Sequence, residues 1–128
     1  MTDSGWEIRP EAMLEQLLKF RDRYGDVPIY ITENGCSSPD QPDASGEVQD
    51  PLRTQYLRDY LAAGLEAMEQ GVDLRGWFFC SLLDNFEWAE GYTKRFGLIY
   101  VDYETQQRIP KDSYRFVQQL IQENTLPD

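Results

Sequence analysis

The sequence predicts an α/β fold built from parallel βα units. Strand-like and helix-like segments alternate in the order helix, strand, loop, helix, strand, loop, helix, which is the pattern of parallel βα units. The second strand candidate, at about 74–82, holds Trp77-Phe78-Phe79-Cys80, apolar on consecutive positions as in strands covered on both faces. With the first, at about 28–33, it makes only two strong core strands, fewer than a complete sheet or barrel of this class needs. The periodicity is that of a βα fold at about half its minimum length, so the chain reads as a fragment or a subunit.

Each element has a local cause. Arg9-Pro10 opens a helix with proline in the first turn, Leu14, Leu17 and Leu18 give it an apolar face, and Gly25-Asp26 stops it after about Tyr24. Val27-Pro28-Ile29-Tyr30-Ile31-Thr32 is a β-branched and aromatic run of the kind found in buried strands. Residues 35–49 turn to Ser, Pro, Asp and Gly, and read as a long surface loop. Asp50-Pro51 supplies a cap and a first-turn proline, after which Leu52, Tyr56, Leu57, Tyr60, Leu61, Leu65 and Met68 recur at helical spacing as far as Gly71. Residues 96–103 form another short extended piece. A last helix runs from about Pro110 to Glu123, with Tyr114, Val117, Leu120 and Ile121 inward.

Length and composition suit one unit, residues 1–128, with a real core. The net charge of −11 argues against nucleic acid and anionic membrane surfaces as partners, because a phosphate-binding surface needs concentrated basic groups. The sequence has no histidine, which removes Ser-His-Asp and Cys-His catalysis and the commonest metal ligand. Cys36 and Cys80 lack C-x-x-C spacing, so no zinc site and no disulfide framework is indicated. No metal or cofactor is expected. The N-terminus shows no signal-peptide pattern and no stretch approaches a membrane span, so a cytoplasmic setting with two free thiols is the expectation.

In parallel βα folds, chemistry sits just past the C-terminal ends of the strands. Two segments lie there: Thr32-Glu33-Asn34-Gly35, and Ser81 through Trp88 with Asp84, Asn85 and Glu87. A carboxylate leaving a buried strand can serve as nucleophile or base, and tryptophan beside acid and amide groups suits a sugar, the ring covering C–H faces while polar groups take hydroxyls. Taken singly, each has a plainer reading. Glu-Asn-Gly is also a turn sequence, Asp84 and Asn85 also suit a cap or an Asx-turn, and Trp77, Phe78 and Phe79 are most simply core. Asp50 and Pro51 need no role beyond capping, and the acidic residues at 40–50 and 66–73 read as solvated surface.

Together the segments resemble a family. Ile29-Tyr30-Ile31-Thr32-Glu33-Asn34-Gly35, Asp50-Pro51-Leu52-Arg53 with Tyr56-Leu57, Ser81-Leu82-Leu83-Asp84-Asn85-Phe86-Glu87-Trp88 with Gly91-Tyr92, Arg95-Phe96-Gly97-Leu98 with Val101-Asp102-Tyr103, and Pro110-Lys111-Asp112-Ser113 occur in that order. The chain resembles the C-terminal part of the family 1 glycoside hydrolases, the β-glucosidases and their relatives, from about Gly5 to Ile121. The resemblance implies a partial (β/α)8 TIM barrel, of which this chain holds the last two βα units. It implies that Glu33 is the catalytic nucleophile at the end of the seventh strand, and that Glu87 binds the 4- and 6-hydroxyls of a sugar. It further implies that Trp88 donates toward the 3-hydroxyl and that Phe96 lines the same subsite.

The sequence departs from that pattern in three places. The family's acid/base glutamate lies in an Asn-Glu-Pro motif that does not occur here, and the sugar-holding histidine, asparagine and arginine of the earlier strands are missing too. The family's aromatic platform, a tryptophan directly before Ser-Leu-x-Asp-Asn, is Cys80, which offers no stacking face. Tyr60 stands where many relatives have histidine, a packing change. Retention of Glu87 favours unphosphorylated sugars, since a carboxylate there repels a phosphate. Two expectations follow. In one, the chain is the nucleophile-bearing part of a retaining β-glycosidase acting on a β-glucoside or oligosaccharide, inactive alone and completed by the missing N-terminal barrel portion. In the other, it is a non-catalytic truncated relative that binds carbohydrate weakly or serves assembly. In both, strands without barrel neighbours predict association, with copies of itself or with a complementary chain.

Overall fold

The computed structural model describes residues 1–127. Helix α1 (Pro10–Tyr24) starts on its proline and ends at Gly25, whose φ of 78° only glycine adopts at low cost and whose N–H bonds the Arg21 carbonyl at 2.7 Å. Strand β1 (Ile29–Asn34) follows, then the loop 35–50, helix α2 (Pro51–Glu69) and strand β2 (Leu74–Phe79). A 3-10 turn at Trp88–Glu90 precedes the short strands β3 (Ile99–Val101) and β4 (Arg108–Pro110), and helix α3 (Asp112–Glu123) closes the order. The two long strands pair in parallel, Ile31 opposite Trp77, as expected of strands joined by a helical crossover. Strands β3 and β4 form a separate antiparallel ribbon, Tyr100 opposite Ile109.

Two apolar clusters join helices to sheet. Leu17, Ala67 and Val72 pack with Ile29, Ile31 and Leu74, fastening α1 and α2 to the strands. Leu57, Leu98, Phe116 and Val117 pack with Phe79, fastening α2 to α3 and the ribbon. Gly64 allows the closest approach: a Cβ there would lie 2.8 Å from the Trp77 ring, so only glycine lets α2 lie on that indole.

The other face of the sheet is uncovered among the described residues. Tyr30 is 53% and Phe78 59% exposed. The consecutive apolar run of β2 is therefore buried on one face only, which corrects the reading of Phe78 as core. Leu65, Met68 and Ile121, expected inward on their helices, also stand exposed. Strand β2 ends at Phe79, short of residue 82, because the chain changes partners there: Ser81 N–H bonds the Phe96 carbonyl at 3.2 Å, and Leu98 and Ile99 N–H groups bond the Ser81 and Leu82 carbonyls at 2.9 Å. No helix among the described residues is long and apolar enough to cross a membrane.

Candidate active site

Both candidate segments arrive at one end of the parallel sheet. Glu33 is the penultimate residue of β1 and its side chain is exposed, while Asn34 beside it is buried. The Asn34 carbonyl accepts the Cys80 N–H at 2.9 Å, so the strand ends are laced together directly behind Glu33. Gly35 makes that possible, since a Cβ there would fall 2.0 Å from the Cys80 carbonyl oxygen.

Glu33, Glu87 and Phe96 line one pocket of about 250 Å³. Cys80 forms part of its wall. Burial raises the Cys80 thiol above its ordinary range, and the Glu33 and Glu87 carboxylates raise it further, so both charges lie within electrostatic reach of the sulfur. The aromatic walls are Phe96, which is buried, and the half-exposed Trp6, their rings 5.7 Å apart and tilted by 49°. At the floor, Asn34 Nδ2 donates to Tyr56 Oη at 3.4 Å, and Tyr56 stacks on Tyr60 with ring centroids 4.2 Å apart. Tyr60 Oη in turn accepts the Arg9 N–H at 3.0 Å, so this residue ties α2 to the start of α1. Burial raises the Tyr56 hydroxyl well above its ordinary value and keeps it protonated. The cavity thus offers carboxylates and aromatic faces together, a suitable chemistry for a ring carrying hydroxyls.

Of the four residues singled out in the sequence, three meet in this pocket. Trp88 does not line it. It occupies the 3-10 turn with φ at +43° and 82% of its surface exposed. Sequence reasoning did not pick out Trp6, Asn34 or Tyr56 as pocket residues. Asn34 and Tyr56 were visible only as neighbours within longer segments, and Trp6 carried no local signal.

The chain also holds a buried ionic network. Asp84 accepts from Lys111 Nζ at 2.8 Å, from Arg95 at 2.6 Å and from the Gly97 N–H at 3.0 Å. Lys111 Nζ also bonds Asp40 at 2.6 Å, Arg53 bonds Asp40 at 2.7 Å, and Arg53 pairs with Asp50. Three carboxylates meet three cations, so the buried charge sums to zero, the condition under which such burial is tolerable. Burial opposes the Arg53 charge, but Asp40 and Asp50 outweigh it and hold the guanidinium protonated. Burial likewise raises the Asp50 carboxyl, against the pull of Ser113 and Arg53.

This network corrects three sequence expectations. Asp50 makes no side-chain cap; it takes Arg53 and the Ser113 N–H, the latter at 2.8 Å. Asp40 and Asp50 are 3% and 1% exposed and so are not solvated surface, and the loop that holds them is pinned by the network. Asp84 is neither cap nor Asx-turn, whereas Asn85 does bond locally, to Ser81 Oγ at 2.7 Å and the Leu83 carbonyl at 3.1 Å. Both cysteines are free thiols.

Comparisons with known proteins fit this arrangement. The family model described as Glycosyl hydrolase family 1 matches residues 1–126. Beta-glucosidase A of Thermotoga maritima is 46% identical over 99% of this chain and 28% of its own length. The Bifunctional beta-D-glucosidase/beta-D-fucosidase of Bifidobacterium breve is 45% identical over 97% of this chain and 28% of its own. A 6-phospho-beta-galactosidase of Lacticaseibacillus rhamnosus is 39% identical over 99% of this chain and again 28% of its own. Among solved structures, the family 1 β-glucosidase from Thermotoga maritima superposes with a TM-score of 0.96 at 46% identity, covering 99% of this chain and 29% of that one. The chain therefore spans a little over a quarter of the length of these relatives. Its two parallel βα units are part of a (β/α)8 barrel, with no closed barrel among the described residues. With its strand ends, pocket and sequence all agreeing, the chain belongs to glycosyl hydrolase family 1.

Proposed function

We propose that this chain is the nucleophile-bearing unit of a retaining β-glycosidase that hydrolyses unphosphorylated β-glucosides. The observation that carries the reading is the sharing of one pocket by Glu33, Glu87 and Phe96. Glu33, at the strand end, attacks the anomeric carbon as that carbon's bond to the aglycone oxygen breaks, the aglycone leaving with a proton from a second carboxyl group. Water, deprotonated by that same group, then displaces Glu33 from the covalent glycosyl-enzyme. Glu87 takes sugar hydroxyls and disfavours a 6-phosphate by charge, although relatives named 6-phospho-beta-galactosidase share 39–40% identity. Phe96 supplies an apolar wall, and Trp88, next to Glu87 in the chain, donates to the 3-hydroxyl.

Retaining hydrolysis needs a second carboxyl group, about 5–5.5 Å from the nucleophile, as acid and then base. The sequence lacks the Asn-Glu-Pro segment that carries it in the family, so this role falls to a complementary barrel portion. Free Cys36 and Cys80 fit a reducing, cytoplasmic setting. The test is an activated 2-deoxy-2-fluoro β-glucoside added to the chain reconstituted with an N-terminal barrel portion. Labelling of Glu33, seen by peptide mass spectrometry, is expected; labelling of any other residue would sink the assignment.

A second reading is favoured by Cys80, which puts a small thiol where a stacking tryptophan stands in the family. In that reading the unit binds carbohydrate weakly or serves assembly without turnover. An aryl β-glucoside assay on the reconstituted protein separates the two, since the non-catalytic unit gives no release above background.

A further inference from the structure

Glu33 and Glu87 are held by different means. Glu33 belongs to the ladder of β1, which pairs with β2 and packs on two helices. Glu87 lies in the segment 80–98, which has no strand or helix of its own beyond one 3-10 turn. The segment's anchor is Asp84, three residues before Glu87 and only 4% exposed. One carboxylate oxygen of Asp84 accepts Lys111 Nζ at 2.8 Å and the Gly97 N–H at 3.0 Å; the other accepts Arg95 at 2.6 Å and the Val101 N–H at 3.4 Å. Of these four, Gly97 and Arg95 belong to the same segment, and Val101 to the short strand just beyond it.

Lys111 differs from them. It sits at the junction of β4 and α3 with its side chain fully buried, and its ammonium reaches Asp40 at 2.6 Å as well as Asp84. Asp40 is tied through Arg53 to the first turn of α2, and α2 packs on the sheet that carries Glu33. A buried ammonium shared by two carboxylates is costly to break, because each partner would be left charged and unpaired. Among the described residues, this ammonium is the one partner of the Asp84 carboxylate that leads outside the segment and its adjoining strand. The segment's ends are tied separately, the Cys80 N–H to the Asn34 carbonyl at 2.9 Å and the Arg95 carbonyl to Arg53 at 2.7 Å.

We propose that Lys111 is a positioning residue that holds Glu87 against Glu33 by bridging Asp84 to Asp40. The proposal rests on the reading of Glu33 and Glu87 as one site, and it assigns to a lysine that does not line the pocket the setting of the pocket's charge geometry. With Lys111 in place, Glu87 faces Cys80 across the cavity. Without it, the segment 80–98 keeps its internal bonds and the Arg53 bond to the Arg95 carbonyl, but the limb from Asp84 to Glu87 loses its buried tie to Asp40, and Glu87 drifts from the strand ends.

Cys80 reports on this in the full chain, because both carboxylates disfavour its thiolate. Cys36, fully buried, is a silent internal control. In the parent chain, Glu87→Gln and Glu33→Gln should each speed alkylation of Cys80 by iodoacetamide about threefold at neutral pH, by removing one negative charge near the sulfur. In a Lys111→Met background, Glu33→Gln should keep that effect, while Glu87→Gln should change the rate by less than about 1.3-fold. An undiminished Glu87 effect in Lys111→Met overturns the proposal. Where Lys111→Met alone does not fold, Lys111→Met with Asp84→Asn removes one charge of each sign and leaves the buried set balanced, and the same comparison applies. Failure of both to fold would assign Lys111 to stability alone and overturn the positioning role. Insensitivity of Cys80 to both glutamates in the parent chain would instead remove the shared pocket, and the role of Lys111 with it.

Discussion

Two cysteines four residues or fewer from a strand end have quite different environments. Cys80 opens onto the pocket, whereas Cys36 has no exposed surface and lies beneath Arg53, whose Nε bonds the Cys36 carbonyl at 3.1 Å. Burial pushes the Cys36 thiol up to about 11 from an ordinary 9.0, with Arg53 opposing the shift. The folded chain thus holds this proton more tightly than the unfolded chain. The resulting stabilisation is complete below the ordinary thiol value and is lost as pH rises through about 11. Between about pH 8 and pH 11 the parent should lose roughly 2 kcal/mol more stability than Cys36→Ala, read from urea midpoints, since the tyrosines titrate in both and cancel. Equal alkaline slopes in the two proteins would show that the Cys36 proton is not held by the fold.

At the scale of elements, the joints are ionic and the panels apolar. Helix α2 lies on the sheet through Gly64, Ala67 and Leu57, but its N-terminal turn is fixed by Arg53, which reaches Asp40, Asp50 and the Arg95 carbonyl. Replacing Arg53 with methionine would strand Asp40 and Asp50 without that partner in a dry interior. The expected cost is about 3–5 kcal/mol, measured by chemical denaturation, and a loss below about 1 kcal/mol would mean that the pair is solvated. The panels were legible in the sequence and the joints were not, for a physical reason. Pro10 and Pro51 act on their own helices, Gly25 on its own turn, and the β-branched run before Glu33 on its own strand, so local chemistry decides them. Asp40 has partners 13 and 71 residues away, Arg53 and Lys111, and no local pattern distinguishes that aspartate from its exposed neighbour Asp43. The three-residue strands β3 and β4 are too short to carry a period, and only their pairing makes them visible. The pocket was half legible: Glu33, Glu87 and Phe96 follow from the strand ends and the family pattern, but Trp6 enters it only through its ring contact with Phe96.

At the scale of the whole molecule, apolar surface and net charge oppose one another. A two-stranded sheet leaves a backbone edge free on each strand, and its uncovered face presents Tyr30 and Phe78. Leu65, Met68 and Ile121 add apolar surface on the helices. Exposed patches of this kind drive association, whereas a net charge of −11 keeps copies apart at low ionic strength. Screening should therefore tip the balance. At about 0.5 M salt the Debye length falls to roughly 4 Å, the repulsion between copies fades, and the apolar drive is undiminished. Light scattering should show a mass above the 15.0 kDa of a single chain, rising with salt and protein concentration. Phe78→Ser should lower that mass at high salt, because it removes the largest apolar group on the uncovered sheet face. An N-terminal barrel portion that covers the same face should do so without any substitution, replacing self-association by a one-to-one complex. A chain that stays a monomer of 15.0 kDa at every salt concentration would show that these strands need no neighbour.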